Sequence, residues 1–210
     1  MKRIGIFSGS FDPVHAGHIA FALEAMMTAK LDAVYLAPEA QPRVSNSGRK
    51  HSSHIAHRLT MLGLAVKAHP NLHVLELPDK QFSVSKTLPR LHQRFRIDEL
   101  FLLCGSDMLE HMSSWRLVDR LRDEMGLIVA VRDVHSTQQT HELLAKLPPS
   151  KLEPVVIVSP KPNISASKIR FALAHHKPAV GLLKSTVGYI DKNWLYTSVP
   201  ESLNSSSANS

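Results

Sequence analysis

The chain has 210 residues, 43% of them hydrophobic, and 25 Lys and Arg against 18 Asp and Glu give a net charge of +7. That length suits one domain with at most a small appendage, and no run of about 18 apolar residues is present to span a membrane. A single cysteine, Cys104, excludes an internal disulfide framework and zinc sites built on cysteine pairs, and it points to a reducing cytoplasm.

In chain order, residues 2–7 read as a buried strand that ends in a Gly/Ser turn. Residues 17–30 read as a helix, with Ile19, Leu23, Met26 and Met27 near a 3.6-residue spacing. A strand follows at 33–37, then the polar segment 41–53, a candidate loop over a site. Residues 53–69 read as a helix capped by Ser52 or Ser53, and 72–77 as a strand. Residues 84–95 form a weaker helical pattern, with Pro89 either near its start or kinking it. Strands at 99–104, 127–131 and 155–158 alternate with helices at 115–124, 138–146, 165–175 and 185–193. One domain over 1–197 is expected, with 198–210 a polar, Ser-rich tail that lacks the apolar content to fold. The alternation implies an α/β fold: a Rossmann-like, doubly wound, mostly parallel sheet with helices on both faces. Ligands of such sheets bind beyond the carboxyl ends of the strands, near the switch in strand order.

The positive charge has three readings: a solvated basic surface, a polyanion binder, or a pocket for phosphorylated small molecules. The cations are spread along the chain and aromatic residues are only 6%, so nucleic acid is the disfavoured one.

The first strand runs into Ser8-Gly9-Ser10-Phe11-Asp12-Pro13, then His15-Ala16-Gly17-His18. A loop at this point of a doubly wound sheet is a preferred phosphate site. Gly9 and Ser10 permit close backbone approach, and Gly17 lets a ligand sit against the helix start. His15 and His18 lie three apart, so a helical turn puts them on one side, where imidazoles can donate to phosphate oxygens. Phosphoryl and nucleotidyl transfer needs chiefly positioning and charge stabilisation. Neither the Gly-x-Gly-x-x-Gly fingerprint nor the Walker lysine loop occurs, which disfavours hydride-transfer cofactors and kinase-type phosphate loops. With 13 histidines in the chain, a packed or solvent-facing pair is the competing reading.

A second motif, Ile164-Ser165-Ala166-Ser167-Lys168-Ile169-Arg170, follows the strand at 155–158. Serines at a helix start cap it or meet phosphate, and Arg170 offers a charged fork. Together the two segments resemble the signatures of the nucleotidyltransferase superfamily: Gly-Thr/Ser-Phe-Asp-Pro followed by His-x-Gly-His, and Ile-Ser-Ser/Ala-Thr/Ser-x-Ile-Arg. The resemblance implies that His15, His18 and Arg170 are catalytic. It further implies that Gly9, Ser10, Phe11 and Ser167 bind ATP.

Three further stretches are similar to the nicotinate-mononucleotide adenylyltransferase branch. Gly105-Ser106-Asp107 followed by Trp115 resembles its Gly-x-Asp and Trp, which implies ribose contacts from Gly105 and Asp107 and stacking of Trp115 on a pyridine ring. Ser85-Lys86-Thr87 stands where that branch has Ser-Tyr-Thr, whose free amides would hold the acceptor's carboxylate or carboxamide. Residues 182–196 resemble its closing helix. The branch's Pro-Pro-His-Lys stretch is altered, and Arg43 or Lys50 is the candidate replacement cation for the acceptor phosphate. Arg58 matches a family Arg-x-x-Met helix, structural or near the phosphate. The resemblance implies transfer of AMP from ATP to a pyridine mononucleotide, the nicotinate form favoured over the nicotinamide form, with Mg²⁺ held mainly by phosphates and water. The expected partners are ATP and a phosphorylated small molecule, with no membrane, and with oligomeric state left open. The alternatives are a pantetheine-phosphate adenylyltransferase, a cytidylyltransferase, and a non-catalytic relative that binds nucleotide or RNA.

Overall fold

Six strands form one parallel sheet in a computed structural model that describes residues 2–41, 52–95 and 99–197. The strands are β1 (Arg3–Gly9), β2 (Ala33–Pro38), β3 (Leu72–Val74), β4 (Glu99–Gly105), β5 (Met125–Val131) and β6 (Val155–Val158). Their order is β3-β2-β1-β4-β5-β6, and every neighbouring pair is parallel. The chain therefore winds outward from β1 through β2 to β3, returns to set β4 on the other side of β1, and winds outward again. The reversal leaves a crevice at the carboxyl ends of β1 and β4, where ligands bind in this architecture.

Eight helices among the described residues cover both faces: α1 (Ala16–Thr28), α2 (Ile55–Val66), α3 (Thr87–Phe95), α4 (Ser106–Met112), α5 (Val118–Glu124), α6 (His135–Ala145), α7 (Ala166–Ala174) and α8 (Lys184–Lys192). Strand side chains alternate between faces, and the core divides accordingly. Leu100, Leu102 and Cys104 of β4 pack with Leu88, Leu91, Leu109, Leu121 and Leu144 from α3 to α6. Phe101 and Leu103 of the same strand pack on the other face with Ile19, Ala22, Met61, Leu62 and Ile190 from α1, α2 and α8. Cys104 is buried, and burial pushes its thiol up to about 12, so it is an inert core residue.

All six expected strands form, five with small shifts at their ends, while the one expected over 72–77 stops at Val74. The helices differ more. α2 begins at Ile55, because Ser53 turns its hydroxyl to Asp12 and His54 Nδ1 caps the helix by accepting from Ala56 N at 3.4 Å. α3 begins at Thr87, which puts Pro89 in its first turn, where a missing N–H costs nothing. The helix expected from Trp115 begins only at Val118, after Leu117 in the left-handed region at φ 68°. Ahead of it stands α4, an unexpected helix that continues directly from β4. α6 begins at His135, three residues early, as the Asp133 carboxylate accepts from Ser136 N at 2.9 Å. No helix among the described residues is long and apolar enough to cross a membrane.

Candidate active site

His15 is the N-cap of α1 and His18 its third residue. His15 Nδ1 accepts from Gly17 N at 3.2 Å, and His18 Nδ1 accepts from His15 N at 3.2 Å, a reciprocal capping box built from two imidazoles. Because each Nδ1 is an acceptor, each neutral ring carries its proton on Nε2. The pair is therefore fixed as two Nε2–H donors. The rings stack, 3.6 Å between centroids, and Phe7 and Phe11 wall His18 at 5.8 and 4.9 Å. Burial holds His15 down at about 4 and His18 well below the usual imidazole range, the latter helped by its neighbour His15. Both are neutral near pH 7. A Cβ at Gly17 would stand 3.0 Å from His15 Nδ1, so any other residue there would press on the capping imidazole.

The loop between β1 and α1 is held from below by a buried polar network. Arg58, fully buried on α2, donates Nη1 to the carbonyls of Ser10 and Glu39 at 2.8 Å, Nη2 to Ala40, and Nε to Ser53. It thus ties the end of β1 to the end of β2, the structural alternative of the two expected for it. The Asp12 carboxylate, 3% exposed, accepts from the Ser53 amide and hydroxyl and from Tyr196 Oη at 2.6 Å. Arg170 Nη1 donates to the Asp12 carbonyl at 2.5 Å. Glu39 accepts from Ser8 Oγ and Phe82 N, joining the end of β1 to the segment before α3.

A cavity of about 270 Å³ opens beyond the carboxyl ends of β1, β4, β5 and β6. His15, Gly17, His18, Gly105 and Asp107 line it, so residues 90 positions apart in the sequence meet there. Arg132 after β5 and Lys161 after β6 also line it. Sequence reasoning missed both, because lone exposed cations in loops carry no pattern. Arg132 Nη2 lies 3.8 Å from Asp107 Oδ2, and both side chains are exposed. Ser167 and Arg170 do not line this cavity. Ser167 is exposed in the first turn of α7, its Oγ 3.1 Å from the capping Ser165 Oγ, while Lys161, Pro162 and Ile164 just ahead of that helix form the wall. The Phe11 side chain is fully buried, which corrects the expectation that it meets ATP: it packs against Phe7 and His18 instead. Gly9 pairs along β1 and accepts from Glu39 N, and Ser10 gives its carbonyl to Arg58.

A second cavity, about 380 Å³, is lined by Phe82, Ser83, Val84, Ser85, Trp115 and Arg116. α4 relates the two: Asp107 in its first turn faces the first cavity, and Trp115 just past its end lines the second. Trp115 is half-buried, 6.4 Å from Phe82 between ring centroids. The expectation of free amides at 85–87 needs correction. Lys86 N and Thr87 N both donate to Ser83 O, at 3.3 and 2.7 Å. The buried Thr87 hydroxyl donates to Asp79 and accepts from Ser83 N, so it shapes the turn. Lys86 is exposed and does not line the cavity. Arg43 and Lys50, the tail 198–210 and most of the 41–53 segment lie outside the described residues.

The comparisons agree with this geometry. Residues 6–172 match the family model for cytidylyltransferase-like proteins. The chain is 31% identical to the nicotinate-nucleotide adenylyltransferase of Bacillus subtilis (strain 168), an alignment that covers 94% of this chain and 100% of the relative. In fold it is similar to the Plasmodium falciparum nicotinic acid mononucleotide adenylyltransferase complexed with NaAD, with a TM-score of 0.73 at 20% identity over 93% of this chain and 98% of the other. The same enzyme complexed with APC gives a TM-score of 0.72 at 19% identity, with the same coverage. The chain belongs to the cytidylyltransferase-like family of nucleotidyltransferases, and within it to the nicotinate-nucleotide adenylyltransferases.

Proposed function

We propose that this enzyme transfers AMP from ATP to nicotinate mononucleotide. An oxygen of the acceptor's 5′-phosphate forms a bond to the α-phosphorus as the α–β bridging bond breaks, and pyrophosphate leaves. The observation that carries the proposal is the pair of Nε2–H donors fixed by the capping box at the mouth of the crevice. The attacking phosphate is already anionic, so the reaction needs no strong base. Neutral histidines serve it well, as they donate hydrogen bonds to the oxygens of the five-coordinate phosphorus without exchanging protons. Their stabilisation grows as charge builds on those oxygens.

The remaining roles follow from position. Arg132 and Lys161 supply positive charge to the same cavity, suited to the triphosphate and the departing pyrophosphate. Asp107 at the start of α4 accepts from ribose hydroxyls. Arg170 acts through the carbonyl it holds at Asp12, and Ser167 meets phosphate from the start of α7. Trp115 and the turn at Ser85 receive the pyridine ring in the second cavity. Mg²⁺ enters with ATP, held mainly by phosphates and water. The single cysteine and the nucleotide substrates suit a cytoplasmic enzyme.

His18→Ala tests the core of the proposal. It should lower kcat by roughly a hundredfold to a thousandfold while the circular dichroism spectrum stays that of the wild type. Near-normal kcat would remove the imidazole pair from the mechanism.

A further inference from the structure

Given the reading of the second cavity as the acceptor site, we infer that Arg116 is the residue that selects a carboxylate-bearing pyridine over its neutral carboxamide. Three observations lead there. The turn expected to hold the substituent has spent two of its amides, with Lys86 N and Thr87 N both donating to Ser83 O. The Ser83 and Ser85 hydroxyls that remain on the rim lie 3.0 Å apart and bond each other. Neutral donors of that kind serve a carboxamide as well as a carboxylate, so they discriminate weakly.

Arg116 is the one charged side chain among the residues that line the cavity. Arg116 and Trp115 line the same cavity, so a ring stacked on the indole carries its substituent within a space that the guanidinium also borders. Asp79, the acid of the segment before α3 that is bound into this turn, already answers Arg90 and the Thr87 hydroxyl and does not line the cavity. Arg116 itself has no carboxylate partner among the described residues. Its charge therefore falls on whatever the cavity holds. A guanidinium offers paired N–H donors that match the two oxygens of a carboxylate, whereas a carboxamide presents one oxygen and an NH₂ that repels the fork. Discrimination thus has an attractive and a repulsive part.

The test measures kcat and KM for nicotinate mononucleotide and nicotinamide mononucleotide in wild type, Arg116→Gln and Arg116→Lys. Because Arg116 is exposed, both variants should melt at the wild-type temperature. Arg116→Gln should cut the acid-to-amide ratio of kcat/KM by about tenfold, through KM for the acid, as expected for loss of one charge-assisted pair at a solvated site. Arg116→Lys keeps the charge and should recover part of that ratio. A wild type that uses the acid, with a ratio unmoved in Arg116→Gln, overturns this inference and leaves the acceptor reading standing. A wild type that turns over neither pyridine nucleotide overturns both.

Discussion

At the scale of single residues, burial keeps the two histidines of the candidate site neutral. The pKa of His15 falls from an ordinary 6.5 to about 4 on folding because the ring is buried. Between those values the unfolded chain binds a proton that the folded chain refuses, so stability rises with pH across that window and is lost as pH drops through it. At about 1.36 kcal/mol per pKa unit, His15 alone accounts for up to about 3 kcal/mol. Asparagine is a good N-cap that does not titrate. Urea unfolding of His15→Asn should therefore vary less between pH 6.5 and 4.5 than that of wild type, and equal slopes would show that the imidazole is not buried neutral. The motif itself was readable because spacing and composition carry it. The tautomers were not, since they are set by backbone amides that no sequence pattern displays. Phe11 illustrates the same limit. Its place in the motif suggested a ligand contact, while its burial between Phe7 and His18 shows that it braces the donor ring.

At the scale of elements, the loop between α7 and α8 holds the histidine helix in place. Ala16 N donates to Gly181 O at 3.0 Å, and His15 bridges Leu182. Gly181 has φ 88°, and a Cβ there would stand 2.5 Å from Ile164, which lines the first cavity. Gly181→Ala should destabilise the fold by roughly 2 kcal/mol or more and lower turnover, as judged by urea unfolding and steady-state rates. Wild-type behaviour in both would mean that this anchor is not needed. Strands were legible because they are short apolar runs, and the inner ones, β1, β2, β4 and β5, are largely buried on both faces. α4 was not, because its seven residues include Ser106, Asp107 and Glu110 and hold only Leu109 and Met112 as buried positions. That helix nonetheless separates Asp107 from Trp115 and so assigns them to different cavities. The turn at 83–87 was misjudged for a related reason, as the Thr87 hydroxyl bonds distant Asp79 and nearby Ser83 alike.

At the scale of the whole molecule, the strand order creates the crevice at β1 and β4, and distant chain segments converge on it. Tyr196, near the end of the described chain, bonds Asp12 in the first loop, and Arg170 reaches the same residue from α7. The loop between β1 and α1 is thus held by residues from far along the chain. The net charge of +7 favours anionic substrates in general and does not distinguish among them. On the proposed reading, the second cavity is what distinguishes one pyridine acceptor from another. The most direct measurement is release of pyrophosphate, with identification of the product, from purified enzyme with ATP and Mg²⁺ and, in parallel, nicotinate mononucleotide, nicotinamide mononucleotide or phosphopantetheine. The geometry described here predicts stoichiometric pyrophosphate and a pyridine dinucleotide, fastest with nicotinate mononucleotide. Release only with phosphopantetheine, or none from folded protein that still binds ATP, would contradict it.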